Sequence, residues 1–318
     1  MKLFRIVLWL ASALFVLSAP FFLERGTLND LWSLAFAVTL ASAWNLLGGF
    51  AGQVSLGYSA FLGIGAYTTV LLSLRGVDPF LTLPLSAVLA AIFSVAIGLP
   101  AFRLRGPYFT IATIGVGEAV RVCAASVSFT GGSSGLRMPA GSFDFNHNYF
   151  SMMILAILTV ALAAWVKRSA FGRALSAIKQ DIDAAEALGV NATRFKLAAH
   201  ALSAAVVAVA GSLYAINFQY IAPGSVFDFQ LSLSIVLMPI IGGVGTLVGP
   251  VLGALIVSTL QIKLLSMPAL RDSFLFIYGG LLILLMLFEP HGFVGIGKRV
   301  WALLTRSARP RTEVANAG

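Results

Sequence analysis

The sequence predicts an all-α, polytopic membrane protein with about eight to ten transmembrane helices, some of them broken or re-entrant. Three observations carry that expectation. Of 318 residues, 59% are hydrophobic and only 10% charged, whereas soluble domains carry about 25% charged residues. The mean hydropathy is +0.94. Apolar runs of spanning or near-spanning length recur along the whole chain, separated by short polar stretches, which is the pattern a helical membrane protein requires.

The runs, in order, are Ile6–Leu23, Leu31–Leu47, Ser59–Leu74, Phe80–Phe102, Tyr108–Val127, Tyr149–Val166, Leu197–Tyr220, Val226–Ile241, Thr246–Ile262 and Phe274–Phe288. The first follows Lys2 and Arg5, as a signal peptide would. It is long for that, and Leu17-Ser18-Ala19 is a poor small-x-small cleavage site, so an uncleaved first span is expected. Several runs are short and fit re-entrant or tilted helices. With the N-terminus inside, the inner segments hold 15 Lys and Arg and the outer ones 5, while Arg121 falls within a run. That bias supports ten crossings with both termini cytoplasmic. Eight crossings also place the termini on the same side, with Val226–Ile262 broken rather than crossing twice, and charge does not separate the two counts.

The net charge of +9 is accounted for by this inner-side enrichment. No basic run interleaved with aromatics occurs between the apolar segments, so a nucleic-acid partner is not expected. Cys123 is the single cysteine, which excludes an internal disulfide. His147, His200 and His291 lack ligand spacing, so no metal site and no cofactor are expected. Gly292-x4-Gly297-Lys298 imitates a phosphate-binding loop, but Arg299 stands where Ser or Thr must hold the metal, and an apolar run precedes it rather than a strand. No set of catalytic residues emerges. The composition therefore points to transport and away from an intramembrane enzyme.

Polar features are few. Lys167 to Lys196 forms a charged island, with residues 167–197 read as a cytoplasmic loop and 298–318 as a basic cytoplasmic tail of a single 1–318 membrane domain. Within the island, Ser176–Leu188 has helical periodicity. Ile178, Ile182, Ala185 and Leu188 form one apolar stripe, Lys179, Asp183 and Glu186 line another face, and Gly189 is placed to cap the helix. Such a helix lies on the membrane surface, in a partner's groove, or free in solvent.

Two glycine-rich breaks, Gly48–Gly57 and Gly242–Pro250, interrupt apolar runs. Broken helices in transporters line substrate paths. Small residues such as Gly245, Gly249 and Gly253 equally serve close helix packing. Glycine cluster Thr130–Leu136 is a turn-rich outer loop, a plain connection or a face for an outer partner. Glu118 and Arg121, at i and i+3, form an intramembrane charge pair whose use is structural or part of a proton path.

Several stretches resemble one family. Asp183-Ala184-Ala185-x3-Gly189 is similar to the EAA loop of ABC-importer permeases, with Asp in place of Glu. The downstream Ile-x-Leu-Pro of that loop is replaced by Ala199-His200-Ala201-Leu202, which separates the chain from the commonest permease type. Asn45 through Gly57, Phe61–Tyr67, Thr130-Gly131-Gly132, Phe171-Gly172-Arg173-Ala174 and Gly242–Pro250 occur in the order found in branched-chain amino acid permeases, M-type, over about Leu31 to Pro290.

The resemblance implies an ABC-importer permease in a bacterial plasma membrane. It would work with a second, paralogous permease, two cytoplasmic ATP-binding subunits and an extracytoplasmic substrate-binding protein. Ile178, Ile182, Asp183, Ala184, Ala185, Glu186 and Gly189 would couple to an ATPase. Gly52, Gln53 and Ser55 are expected near the substrate path, since they bring polar groups where glycine lets the backbone approach. Branched-chain or other small amino acids are the implied substrates, with urea or short amides as an alternative. An ion-coupled carrier would need charged sites within its spans, and Glu118 is nearly the sole candidate.

Overall fold

The structure, a computed structural model, describes residues 22–267 apart from 105, 140, 142 and 143, together with Pro20, Phe276, Gly279, Gly280 and 292–295. Its helices are α1 (Arg25–Leu47), α2 (Tyr58–Ser73), α3 (Leu83–Ala101), α4 (Pro107–Ser126), α5 (Phe145–Arg168), α6 (Ala170–Gln180), α7 (Ile182–Ala187), α8 (Ala192–Phe218), α9 (Pro223–Val226), α10 (Phe229–Gly242) and α11 (Val248–Ser266). Two short strands, β1 (Leu136–Arg137) and β2 (Tyr220–Ile221), pair antiparallel, with Leu136 opposite Ile221 and Arg137 opposite Tyr220.

Six helical stretches are long and apolar enough to cross a membrane, and two shorter apolar helices, Tyr58–Ser73 and Val248–Leu264, accompany them. These match eight of the ten expected runs. Almost all of Ile6–Leu23 and most of Phe274–Phe288 lie outside the described residues, as does the basic tail.

Helix starts follow local chemistry. The side chains of Asp144, Asn191 and Asp228 accept from the first free backbone N–H groups of α5, α8 and α10, and proline occupies the first turn of α4.

Helix α1 is the bundle's axis, packed against α5, α8, α10 and α11 with Trp32 and Trp44 buried. Helix α8 presents small residues to α2 and α3. A Cβ on Gly65 would sit 1.9 Å from the Ala208 carbonyl oxygen, and one on Gly211 2.0 Å from that of Leu62. Such backbone approach is how helices associate where lipid removes the hydrophobic drive. Buried hydroxyls add cross-links: Ser203 donates to the Ala43 carbonyl (2.6 Å), and Ser212 bonds Ser86 (2.9 Å) and the Gly65 carbonyl.

Two expectations are corrected. Val226–Ile262 is not one broken span. Helices α10 and α11 form an antiparallel hairpin, in which a Cβ on Gly242 would meet the Gly249 carbonyl at 1.7 Å and one on Gly253 that of Met238 at 1.8 Å. Glycine turns the chain at the tip, with Gly243 at φ 129° and Gly245 at φ 78°. Packing is therefore the use of Gly249 and Gly253, whereas Gly245 belongs to the turn. Nor is Ser176–Leu188 one helix. It breaks at Asp181, which is extended (φ −155°, ψ 119°) because its carboxylate accepts from the Ala184 N–H (3.0 Å) and starts α7 anew.

The bundle has two distinct ends. One gathers 48–57, α6, α7 and the α10–α11 tip; the other carries the β1–β2 ribbon and the 130–136 glycine turns. The loops 48–57, 167–196 and 242–247, which the Lys/Arg count grouped on one side, thus lie at one end of the bundle.

Candidate functional site

At the first end, both glycine-rich breaks meet the charged island. Helix α1 stops at Leu47, and the chain runs without helix from Gly48 to Gly57. Trp44 Nε1 pins this stretch by donating to the Ser55 carbonyl (3.0 Å). The Asn45 amide bridges the two breaks. Its Oδ1 accepts from the Gly245 N–H and its Nδ2 donates to the Thr246 carbonyl, each at 2.9 Å. Gly49 makes room for that amide, since a Cβ there would fall 1.8 Å from Asn45 Oδ1.

Two lysines then tie the island to the same backbone. Lys179, in α6, donates from Nζ to the Gly49 carbonyl (2.8 Å), and Lys167, at the end of α5, donates to the Gly245 carbonyl (2.9 Å) while lying 5.9 Å from the Phe50 ring centroid. Gly52, at φ 72°, leaves the space that the Lys179 stem fills. Each bond has a charged donor and an otherwise open helix-break carbonyl, so each belongs to the stronger class, worth about 1.5–3 kcal/mol when dry. Asn45, Lys167 and Lys179 were not singled out as site residues by sequence. An amide within an apolar run, next to Gly48-Gly49, was the available signal.

The expected coupling residues divide by face. Ile178 and Ala185 are each 2% exposed and pack with Ala192, Ile182 and Phe195 of their own chain. The apolar stripe is thus turned inward, except Leu188, which the break at Asp181 leaves 83% exposed. Asp183, Ala184, Glu186 and Gly189 are exposed beside it. Gly189 (φ 85°) ends α7 in a Schellman turn: its N–H donates to Glu186 and the Val190 N–H to Ala185. Asp183, Ala184, Glu186, Leu188 and Gly189 thus form an exposed surface held by the capped turn.

Of the residues expected near a substrate path, Gly52 and Gln53 line one recess of about 460 Å³ with Val54, Gly106, Pro107, Thr110 and Ile111. Ser55 is buried away from it. Helix α4 continues that recess. Only Phe109, Thr113 and Gly117 of α4 are buried, against Gly57 and its neighbours. The opposite face exposes Ile111, Gly115, Glu118, Val122 and Cys123. Arg121 donates from Nε to Glu118 Oε2 (2.8 Å) and from the guanidinium to Oε1. The pair lies within one helix, and among the described residues its hydrogen bonds join no second helix.

Among the described residues no group of three or more His, Cys, Asp and Glu is arranged to hold a metal. His147 stacks on Phe80, and His200 is enclosed by Tyr58, Phe61 and Phe102. His291, Gly297 and Lys298 lie outside the described residues.

A helical membrane bundle with small-residue packing, broken helices gathered at one end and a capped loop beside them defines a multi-pass transport permease. The family described as "Branched-chain amino acid transport system / permease component" matches residues 27–286, and the chain belongs to that family. It is 30% identical over 316 aligned residues to the high-affinity branched-chain amino acid transport system permease protein LivM of Escherichia coli, covering 89% of this chain and 73% of that one. It is 25% identical to the permease BraD of Pseudomonas aeruginosa and 26% identical to LivH of Escherichia coli, each match covering 80% of this chain and 90% of the relative. No solved structure matches the chain.

Proposed function

We propose that this permease subunit forms half of the translocation pore of an ATP-driven importer of branched-chain or other small amino acids. A second, paralogous permease supplies the other half, an extracytoplasmic binding protein delivers the substrate, and two cytoplasmic ATP-binding subunits drive the cycle. The family and the names of the similar permeases support the substrate class. In this reading the α6–α7 end of the bundle and both termini are cytoplasmic, in line with the Lys/Arg bias.

The observation that carries the coupling is the lysine node. Asp183–Gly189 is the exposed surface on which an ATPase seats, and α6, one residue upstream, is bonded through Lys179 to Gly49, while Lys167 holds Gly245. A push on α7 passes along α6 to the ends of α1 and the α10–α11 hairpin. The stretch that follows α1 supplies Gly52, Gln53 and Val54 to the recess. Packed cores respond to such shifts by switching between discrete arrangements.

Thiol cross-linking tests the docking step. In a Cys123→Ser background, Leu188→Cys in the assembled complex is expected to cross-link to the ATP-binding subunit, and to change its yield when ATP binds. Cross-linking to no ATP-binding subunit under any nucleotide condition overturns the assignment.

A further inference from the structure

The exposed faces of the bundle are not alike. Helix α3 exposes Leu85, Val88, Leu89, Ile92 and Leu99, and α5 exposes Ile154, Ile157, Leu158 and Trp165. Both are lipid-facing in composition. Helix α4 exposes Tyr108, Ile111 and Val122 as well, but among them it carries an ion pair that the faces of α3 and α5 lack, with Glu118 51% and Arg121 37% exposed. Glu118 lies eight residues, about 12 Å, from the Ser126 end of the helix, well inside the hydrocarbon region of a span. Charges at that depth almost always face protein or a water-filled cavity. The same face runs down through Gly115 and Ile111 to the recess holding Gly52 and Gln53, about 10 Å along the helix from Glu118. Asp228, at the head of α10, is close enough for its charge to act on Arg121.

A pair within one helix contributes little to stability, and among the described residues it hydrogen-bonds to no second helix, so retention of the helix fold does not explain it. Its geometry does suit one class of ligand. Two guanidinium donors meet the two carboxylate oxygens in a bidentate pair that is partly exposed, so both groups can be reached from one face. A zwitterion carries the complementary groups on adjacent atoms: its carboxylate matches Arg121 and its ammonium matches Glu118. Exchange of the internal pair for two ligand pairs adds no net charge at any stage, so binding strands no further charge in the span.

We infer that Glu118 and Arg121 form a headgroup site for a zwitterionic amino acid on a watered wall of the translocation path. The inference rests on the importer reading. It assigns substrate recognition within the membrane to the α-amino and carboxylate groups, leaving the side chain to the apolar positions Ile111 and Val122 on the same face.

The test uses the complete importer in proteoliposomes with radiolabelled leucine. Glu118→Gln and Arg121→Met each lower uptake about tenfold or more, the factor that follows from losing one charge-assisted hydrogen bond in a partly dry site. Subunit assembly and ATP hydrolysis stimulated by the binding protein stay near wild type. The reversed pair, Glu118→Arg with Arg121→Glu, keeps the helix neutral but presents the charges in the wrong order, and remains impaired.

In a separate arm, Val122→Cys in a Cys123→Ser background reacts with a charged methanethiosulfonate at least tenfold faster than Ile157→Cys. Uptake within twofold of wild type in both single variants overturns the site. So does recovery in the reversed pair, loss of assembly in the single variants, or equal thiol reactivity on the two helices. Failure of the importer reading registers differently, as a wild-type complex without binding-protein-stimulated hydrolysis, and the thiol arm still decides the wall.

Discussion

Lys179→Met severs the bond between the island and the first helix break. In the structure that bond is a 2.8 Å contact from Nζ to the Gly49 carbonyl, with the Lys179 stem lying against Gly52. A charged donor to a carbonyl is worth about 1.5–3 kcal/mol in dry surroundings. The Lys179 side chain is exposed along part of its length, so solvent screening brings the expected contribution to about 1–1.5 kcal/mol. If that energy holds the break to α6 during the cycle, losing it lowers the leucine imported per ATP hydrolysed about five- to tenfold. Methionine keeps the unbranched stem and its packing, so folding and assembly are retained. Lys179→Arg, which keeps the charge and donor, restores at least half of the ratio. The assay is parallel measurement of uptake and phosphate release in proteoliposomes. An unchanged ratio in Lys179→Met, and again in Lys167→Met with Lys179→Met, refutes transmission through the node.

Other predictions follow from single contacts. Gly189→Pro removes the N–H that bonds Glu186 and demands φ near −65° where the chain has 85°, so the Schellman turn is lost. It should abolish ATPase co-purification, while Glu186→Arg on the same exposed surface weakens it, both without loss of membrane insertion. Normal transport in both variants removes this segment from the mechanism. Gly253→Val forces a side chain into the space where a Cβ already lies 1.8 Å from the Met238 carbonyl. Overpacking of about 2–3 kcal/mol should lower the apparent Tm of the purified protein by roughly 5 °C or more, and an unaltered Tm contradicts the tight hairpin. Gln53→Leu strips the polar group from the recess shared with Thr110. Leucine uptake should fall at least fivefold with assembly intact, and unchanged uptake takes Gln53 out of the path.

Span positions were legible because lipid imposes one requirement, an internally bonded apolar helix, on each of them. The eight described spans start and end within a few residues of the apolar runs, and the loops that the Lys/Arg count grouped together share one end of the bundle. Periodicity misled where a polar side chain outcompeted it. The Ile178–Leu188 stripe is regular, but Asp181 prefers to cap α7, and one extended residue turns Leu188 outward and Ala185 inward. Glycine spacing held for Gly249 and Gly253, which pack against α10, and missed Gly245. Gly245, Gly249 and Gly253 are evenly spaced, but the chain reverses after the first of them. The node itself was beyond reach, because Asn45, Lys167, Lys179 and Gly245 are brought together from positions up to 200 residues apart, and no local pattern encodes such a meeting.

Coupling to ATP is the central claim, and leucine uptake into proteoliposomes measures it most directly. The account predicts uptake only when the second permease, the ATP-binding subunits, the binding protein and ATP are all present, with none from this chain alone under an ion or proton gradient. Gradient-driven uptake by the chain alone, or ATP-independent uptake by the complete assembly, would contradict it.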